Sequence, residues 1–155
     1  MREIATRLAE RADLKHDLVV FASNKHPDGC GWVSRLSDPA DTIRRFCRFT
    51  PHAWSPDGKR VLSTHTYFDY PGTDRWLVKN ARTAEVIAAY NGRLDWDVGW
   101  EDNGHLLTMA QSDEGKAAVI RCTATGECER ASRIWDRAID LDAYYVAPPV
   151  VLSSN

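Results

Sequence analysis

The sequence predicts an all-β fold made of antiparallel four-stranded units, and three observations lead to this prediction. Short apolar runs alternate with turn sequences throughout the chain. Aromatic residues are frequent, with 6 Trp, 5 Tyr and 4 Phe among 155 residues, and strands favour such side chains. One motif also occurs twice, as “HAWSPDGKRVLST” at 52–64 and as “VGWEDNGHLLTMA” at 98–110, and its Pro, Asp, Asn and Gly residues favour tight turns.

In each copy of this motif, an aromatic residue ends one strand and a tight turn leads the chain into the next strand. Trp54 matches Trp100, and Gly58 matches Gly104. Glycine readily adopts the positive φ angles of tight turns, so we expect positive φ at both glycines. The runs “KRVLSTHT” and “HLLTMAQ” are then the strands that follow the turns.

Hairpins form a second repeat. The segments “WVSRLSDPADTIRRF”, “WLVKNARTAEVIAAY” and “AVIRCTATGECERAS” begin at Trp32, Trp76 and Ala118, which are 44 and 42 residues apart. Each segment predicts two strands joined by a five-residue polar loop. Motif and hairpin together make four antiparallel strands in about 42–46 residues, which is the period of β-propeller blades.

The chain is therefore predicted to be a partial β-propeller of about three blades. No linker or low-complexity segment divides it, so we treat residues 1–155 as a single domain. The repeat units lie at about 4–47, 48–92 and 93–133.

The two ends of the chain are less regular. “LVVFASN” at 18–24 fits the inner strand of the first unit. The segment before it fits either a degenerate strand of the repeat or a short N-terminal helix. The helix is an alternative because alanine and leucine recur on one helical face. At the other end, residues 138–148 fit one more edge strand, which Pro148 and Pro149 terminate.

Four cysteines predict two disulfides. Cys122 immediately precedes the loop of the third hairpin and Cys128 immediately follows it, so the two face each other across the strands. Cys30 and Cys47 lie on the two strands of the first hairpin. Two such pairs indicate an oxidising, extracytoplasmic compartment, with buried free thiols as the alternative.

The register of the first hairpin fits its cysteines less well. With a five-residue loop, Leu36 lies opposite Thr42, which leaves Cys30 and Cys47 one residue out of register. A disulfide there requires local puckering of the strands. No C-x-x-C occurs, so a zinc site is not predicted.

Composition and charge exclude several classes of partner. The net charge of −2 at pH 7 offers no basic footprint for nucleic acid or an anionic membrane. No apolar run reaches the ~20 residues of a membrane span. The opening “MREIATRLAERADLKHD” lacks the apolar core of a signal peptide.

No catalytic or cofactor-binding constellation emerges. The sequence lacks G-x-S-x-G, a P-loop and G-x-G-x-x-G. The histidines share no metal-ligand spacing: His52 and His65 flank one hairpin and can meet there, whereas His105 matches Lys59 at a surface turn. The acidic stretch at 91–104 lacks EF-hand spacing. We therefore predict no enzyme, no cofactor and no metal site.

An aromatic loop is the first candidate for a binding surface. Tyr67, Phe68 and Tyr70 lie in “THTYFDYPGTDRW” at 64–76, and Arg75 follows them. Three aromatic side chains exceed what a connector between two strands requires, and loops on a rigid scaffold commonly bind partners.

The repeat motif resembles a known family. “HAWSPDGKRVLST” resembles the repeat of TolB-like β-propellers, which are relatives of WD-repeat propellers. “WEDNGHLL”, “AAVIRCTATGECERA” and “DLDAYYVAP” resemble the closing blades of secreted, actinobacterial-type TolB-like proteins, and the resemblance covers residues 18–150. A closed propeller has about 4–8 blades. The chain is thus the C-terminal part of a longer propeller, an open partial propeller, or a half that closes by self-association.

The resemblance implies a non-enzymatic binding or scaffold module that contacts a protein or a small ligand through its loops, outside the cytoplasm. The alternative is an accessory propeller segment of a hydrolase or peptidase whose catalytic domain is absent from this chain. TolB-like blades occur in proteins of both kinds, so the motif alone does not choose between them.

Overall fold

The computed structural model describes residues 8–22, 29–66, 73–112 and 114–136. Within these ranges every regular element is a β-strand, and every strand pairing is antiparallel. The predicted all-β fold is therefore confirmed, and the strands form open, propeller-like sheets. In the described part of the chain, no helix has the length and apolar character needed to cross a membrane.

The first sheet contains four described strands in the order β1-β2-β3-β4, so each strand pairs with its neighbours in sequence. The strands are β1 (Leu8–Asp13), β2 (Leu18–Ala22), β3 (Cys30–Arg35) and β4 (Thr42–Cys47). Val20 of β2 lies opposite Val33 of β3, and both side chains are buried. This pair forms the centre of the sheet's apolar face.

The strand alternative is confirmed for the segment before β2, and the helix alternative is wrong over Leu8–Asp13. β2 is buried at Val19, Val20 and Phe21, so its backbone groups need hydrogen-bond partners along both edges. β1 supplies the partners along one edge through an antiparallel ladder. β2 is consequently the second strand of its sheet and not the strand at the end.

Among the described residues, the second sheet contains eight strands, of which seven follow the order β11-β10-β9-β8-β7-β6-β5, and the last described strand pairs with β10. The predicted edge strand at 138–148 lies outside the described residues. The strands are β5 (Phe49–Trp54), β6 (Arg60–His65), β7 (Thr73–Asn80), β8 (Val86–Trp100), β9 (His105–Gln111), β10 (Lys116–Thr123), β11 (Cys128–Arg130) and β12 (Trp135–Asp136).

β8 connects two halves of the second sheet and is 15 residues long. Its first part pairs with β7, its last residues pair with β9, and the register shifts between Leu94 and Val98. The predicted limit between the second and third repeat units, at 92/93, falls inside this continuous strand. The division of the chain into one domain with three units stays a prediction.

The main apolar core belongs to the second sheet. Trp76 is 1% exposed and is the largest fully buried side chain of the described residues, and it packs in one cluster with Leu62, Val78, Tyr90 and Leu106. Buried aromatic side chains of this size dominate the energetics of such cores. Trp76, which begins the second predicted hairpin, is therefore a packing residue.

Arg48 joins the two sheets. This residue has a φ of 66°, which is uncommon for a side chain other than Gly, Asn or Asp. Its N–H donates a hydrogen bond of 3.1 Å to the Gly29 carbonyl, and its own carbonyl accepts one of 2.6 Å from the N–H of Thr66. Both sheets thus hold the connection from β4 to β5.

The two matched turn glycines differ. Gly58 has a φ of 69°, as predicted. A Cβ atom there would also lie 2.9 Å from Cδ2 of His16, in the turn between β1 and β2. Gly104 is not among the residues with positive φ, so the prediction for Gly104 is wrong.

The length of the two turns explains this difference. Trp54 lies opposite Val61, whereas Trp100 lies opposite Leu106. The second turn therefore contains one residue fewer than the first, although the two glycines occupy matched positions in sequence. The shorter turn closes without a residue at positive φ, whereas the longer one needs Gly58 in the left-handed region.

Both predicted cysteine pairs lie at disulfide distance. The Sγ atoms of Cys122 and Cys128 are 2.05 Å apart, and those of Cys30 and Cys47 are 2.01 Å apart. In each pair the two residues lie directly opposite each other on neighbouring strands. The predicted pairings agree with this geometry.

The predicted register of the first hairpin, with Leu36 opposite Thr42, is wrong. Ser34 lies opposite Thr42, and the next pair along the ladder contains Arg44, so Ile43 is the additional residue of a β-bulge. The bulge shifts the register by one residue. This shift brings the two cysteines of the first hairpin into direct opposition.

Candidate ligand-binding cleft

The two sheets border a cleft between β3 and β4 on one side and β5, β6 and β7 on the other. Its volume is about 450 Å³, within the range of ~300–1,000 Å³ that is typical of small-molecule sites. Most of its surface is apolar. The side chains that contribute to this surface include Ile43, Phe46, Phe49, Trp54 and Val61.

Four basic residues surround this apolar surface: Arg44 and Arg45 on β4, Lys79 on β7, and Arg82 in the loop after β7. Among the described residues, no Asp or Glu lines the cleft. The whole chain contains 22 acidic and 20 basic residues, so the positive charge is a local feature. A cleft of one sign of charge attracts ions of the opposite sign.

Lys79 lies against an aromatic ring of the cleft. Its Nζ atom lies 4.9 Å from the centre of the Phe49 ring, in the geometry of a cation–π contact. Burial, and secondarily the charge of Arg44, lower the pKa of Lys79. An anion in the cleft would favour the charged form of this lysine and offset both effects.

Local backbone structure positions Arg44 and Arg82. The bulge at Ile43 directly precedes Arg44, and bulges redirect the side chains beside them. Nη2 of Arg44 donates a hydrogen bond to the carbonyl oxygen of Arg82, which belongs to the second sheet's loop. That loop is itself fixed, because Oδ1 of Asn80 accepts a hydrogen bond of 2.9 Å from the N–H of Arg82.

A second cleft, of about 640 Å³, lies along β1, β5 and the last residues of β8. His52 lines it as the bulged residue of β5, edge-on to Trp76 at 4.9 Å between ring centres. Burial, and secondarily the charge of Arg11, lower the pKa of His52 to about 3. Its Nδ1 has no hydrogen-bond partner among the described residues. His65 instead packs edge-on to Phe49, so the two histidines have different aromatic partners.

Glu101, Asp102 and His105 form a surface cluster whose ligand atoms all lie within 4.8 Å of one another. The oxygens of this cluster already have partners. Oδ1 of Asp102 accepts hydrogen bonds from the N–H of Gly104 at 2.6 Å and of His105 at 2.8 Å, and these bonds lower its pKa. Glu101 pairs with Arg121 at 2.6 Å. The cluster therefore caps a turn.

The aromatic residues of the predicted binding loop, Tyr67, Phe68 and Tyr70, lie outside the described residues. Arg75 is described: it lies on β7 opposite Asn91, and its side chain is exposed. A binding role for these four residues stays a prediction.

Sequence reasoning missed the basic cleft between the sheets. One feature of the sequence does point to it, since “TIRRFCRF” at 42–49 contains three arginines and no acidic residue. The other basic residues come from a different hairpin, and only the packing of the two sheets brings them to the same place.

Comparison with known proteins adds a likeness of fold. No protein-family model matches the chain, and no curated protein matches it. A solved structure described as the crystal structure of the eukaryotic initiation factor is similar, with a TM-score of 0.51 and 12% sequence identity. The similar region covers 77% of this chain and 30% of that chain. At this identity the likeness concerns the fold alone.

Proposed function

We propose that the chain is a non-enzymatic binding module of TolB-like propeller blades, which works outside the cytoplasm and binds a ligand or a protein partner. The cleft between the two sheets is the observation that carries this proposal, because basic side chains there surround a concave apolar surface. Concave apolar surfaces with a few polar groups are typical of binding sites. The fold by itself does not specify the function.

Two further observations support the TolB-like resemblance and the location outside the cytoplasm that the proposal includes. The “WSPDG” turn that resembles the TolB-like repeat has the positive φ that the resemblance requires at Gly58. The two cysteine pairs at disulfide distance are consistent with an oxidising compartment. Self-association that closes the propeller is part of the proposal too, and light scattering over a concentration series tests it.

One experiment on the whole chain distinguishes a binding function from a catalytic one. Nuclear magnetic resonance spectra would be recorded while a panel of anionic, neutral and cationic aromatic compounds and short peptides is added. We expect some members to shift the backbone signals of cleft residues such as Lys79 and Phe49, with no turnover of ester or peptide substrates. Turnover by this chain, or a complete lack of binding across the panel, would contradict the proposal.

A further inference from the structure

We propose that the cleft between the sheets is specific for small amphipathic anions, in which a carboxylate or phosphate group is attached to a flat apolar body. This inference rests on the proposed function and names the ligand class of the same site. It follows from the arrangement of charge and apolar surface in the cleft.

The charges of the cleft require an anionic group. Arg44, Arg45, Lys79 and Arg82 line it, and no carboxylate of the described residues does. The charge of Arg44 disfavours the charged form of Lys79, which burial disfavours as well. An anion between these side chains reverses both effects, because it attracts each cation and replaces the water that burial removes.

The floor of the cleft requires an apolar body on the same ligand. Phe46, Phe49 and Trp54 contribute aromatic surface, and Ile43 remains 48% exposed beside them. An apolar surface of this kind is stabilised when a ligand covers it. A bare inorganic anion would satisfy the charges and leave this surface in contact with water.

The size and net charge of the protein argue against a polymeric anion. A cleft of about 450 Å³ is of the size that takes one small molecule. The chain as a whole carries a charge of −2, so a polyanion extending beyond the cleft would meet a surface with no net attraction for it. The ligand is therefore a compact monoanion or dianion.

The test uses three naphthalene compounds with the same ring system and substituents of similar size but different charge: 2-naphthoate, 2-naphthylmethanol and 2-naphthylmethylammonium. Binding to the whole chain is measured by chemical-shift titration. A ligand of this size is expected to bind with a Kd of about 0.1–1 mM. We expect naphthoate to bind about tenfold more tightly than the alcohol, with the ammonium compound weakest and with a loss of naphthoate affinity at high salt.

Variants locate the site. Lys79→Met keeps the apolar stem and removes the charge, and Arg45→Gln removes the charge of an exposed side chain. Each should weaken naphthoate binding about three- to tenfold. Lys59→Met is the matched control, because the Lys59 side chain is 79% exposed and, unlike Gly58 in the same turn, does not line the cleft, and it should leave the Kd unchanged.

Several results would overturn the inference. Equal affinity for the three naphthalenes would remove the requirement for an anion, and acetate binding as tightly as naphthoate would remove the requirement for an apolar body. Tighter binding of tetraglutamate than of naphthoate would indicate an acidic peptide ligand. An equal loss of affinity in the Lys59→Met control would place the site elsewhere. In each case a binding function can survive, whereas a panel without any binding would remove the proposed function as well.

Discussion

The indole N–H of Trp100 donates a hydrogen bond of 3.1 Å to the carbonyl oxygen of Ala53. Trp100 ends β8 and Ala53 lies on β5, and these strands are not neighbours in the second sheet. The bond therefore connects two parts of the sheet that the strand ladder alone would leave apart. Both residues also pack against the main apolar core.

Replacing Trp100 by Phe tests the importance of this contact. The variant keeps most of the aromatic surface but removes the donor and leaves the Ala53 carbonyl without it. We expect a loss of about 1–2 kcal/mol in the free energy of unfolding, measured by urea denaturation. Trp54→Phe is the control, because the Trp54 indole makes no hydrogen bond to a described residue. An equal loss in both variants would argue against a role for the hydrogen bond.

The two matched turn glycines should respond differently to alanine. Gly58→Ala forces a side chain into a φ of 69° and towards His16, so we expect the free energy of unfolding to fall by about 1–2 kcal/mol. A Cβ atom at Gly104 would meet only Oδ1 of Asp102, at 3.6 Å. Gly104→Ala should therefore stay within about 0.5 kcal/mol of the parent. Similar melting temperatures for the two variants would contradict the difference between the turns.

A side chain added at Gly31 would have even less space than one added at the turn glycines. It lies on β3 opposite Phe46 and Ala22, and a Cβ atom there would overlap with the Phe21 carbonyl oxygen and the Phe46 ring. The backbone oxygen cannot move without disrupting the ladder, so Gly31→Ala should lower the free energy of unfolding by about 2–3 kcal/mol. Denaturant titration measures this, and a variant as stable as the parent would show that the sheet can adjust there.

The sequence was most informative where one repeat determines local structure. Trp54, Gly58 and the two cysteine pairs could be placed because turn chemistry and cross-strand spacing act over a few residues. Register was predicted less well, since a single bulge at Ile43 shifts the whole hairpin and leaves no clear mark in the sequence. The basic cleft could not be predicted, because only the packing between the sheets brings Arg44 and Lys79 to the same cleft, and local patterns do not encode that packing.

The two cysteine pairs should differ in the stability that they provide. Cys30 and Cys47 lie 17 positions apart in the sequence, whereas Cys122 and Cys128 lie 6 positions apart. A longer closed loop restricts the unfolded chain more, so the first pair should contribute about 3 kcal/mol and the second about 2 kcal/mol. Denaturation of variants that keep one pair, with and without reductant, isolates each bond. Recovery of alkylatable thiols from the oxidised folded protein would exclude the corresponding disulfide.

His52 should make the protein sensitive to acid. Burial, and secondarily Arg11, lower the pKa of His52 to about 3 in the folded protein, whereas a histidine in an unfolded chain has a pKa of about 6.5. Between these two values the unfolded chain binds more protons than the folded one, so stability is lost as the pH falls below about 6.5. The loss between pH 7 and pH 5 should reach at most about 2 kcal/mol for this one group.

The measurement is the free energy of unfolding from urea denaturation at pH 7, 6 and 5, for the parent and for His52→Gln. Glutamine carries no titratable proton, so the variant should be less stable at pH 7 through lost packing on Trp76 but should lose less stability on acidification. His105→Gln serves as the control, because that ring lies on the surface beside Asp102, and this variant should keep the steep loss of the parent. A parent and a His52→Gln variant with parallel pH profiles would show that another group controls the acid response, and the buried, neutral state of His52 would have to be rejected.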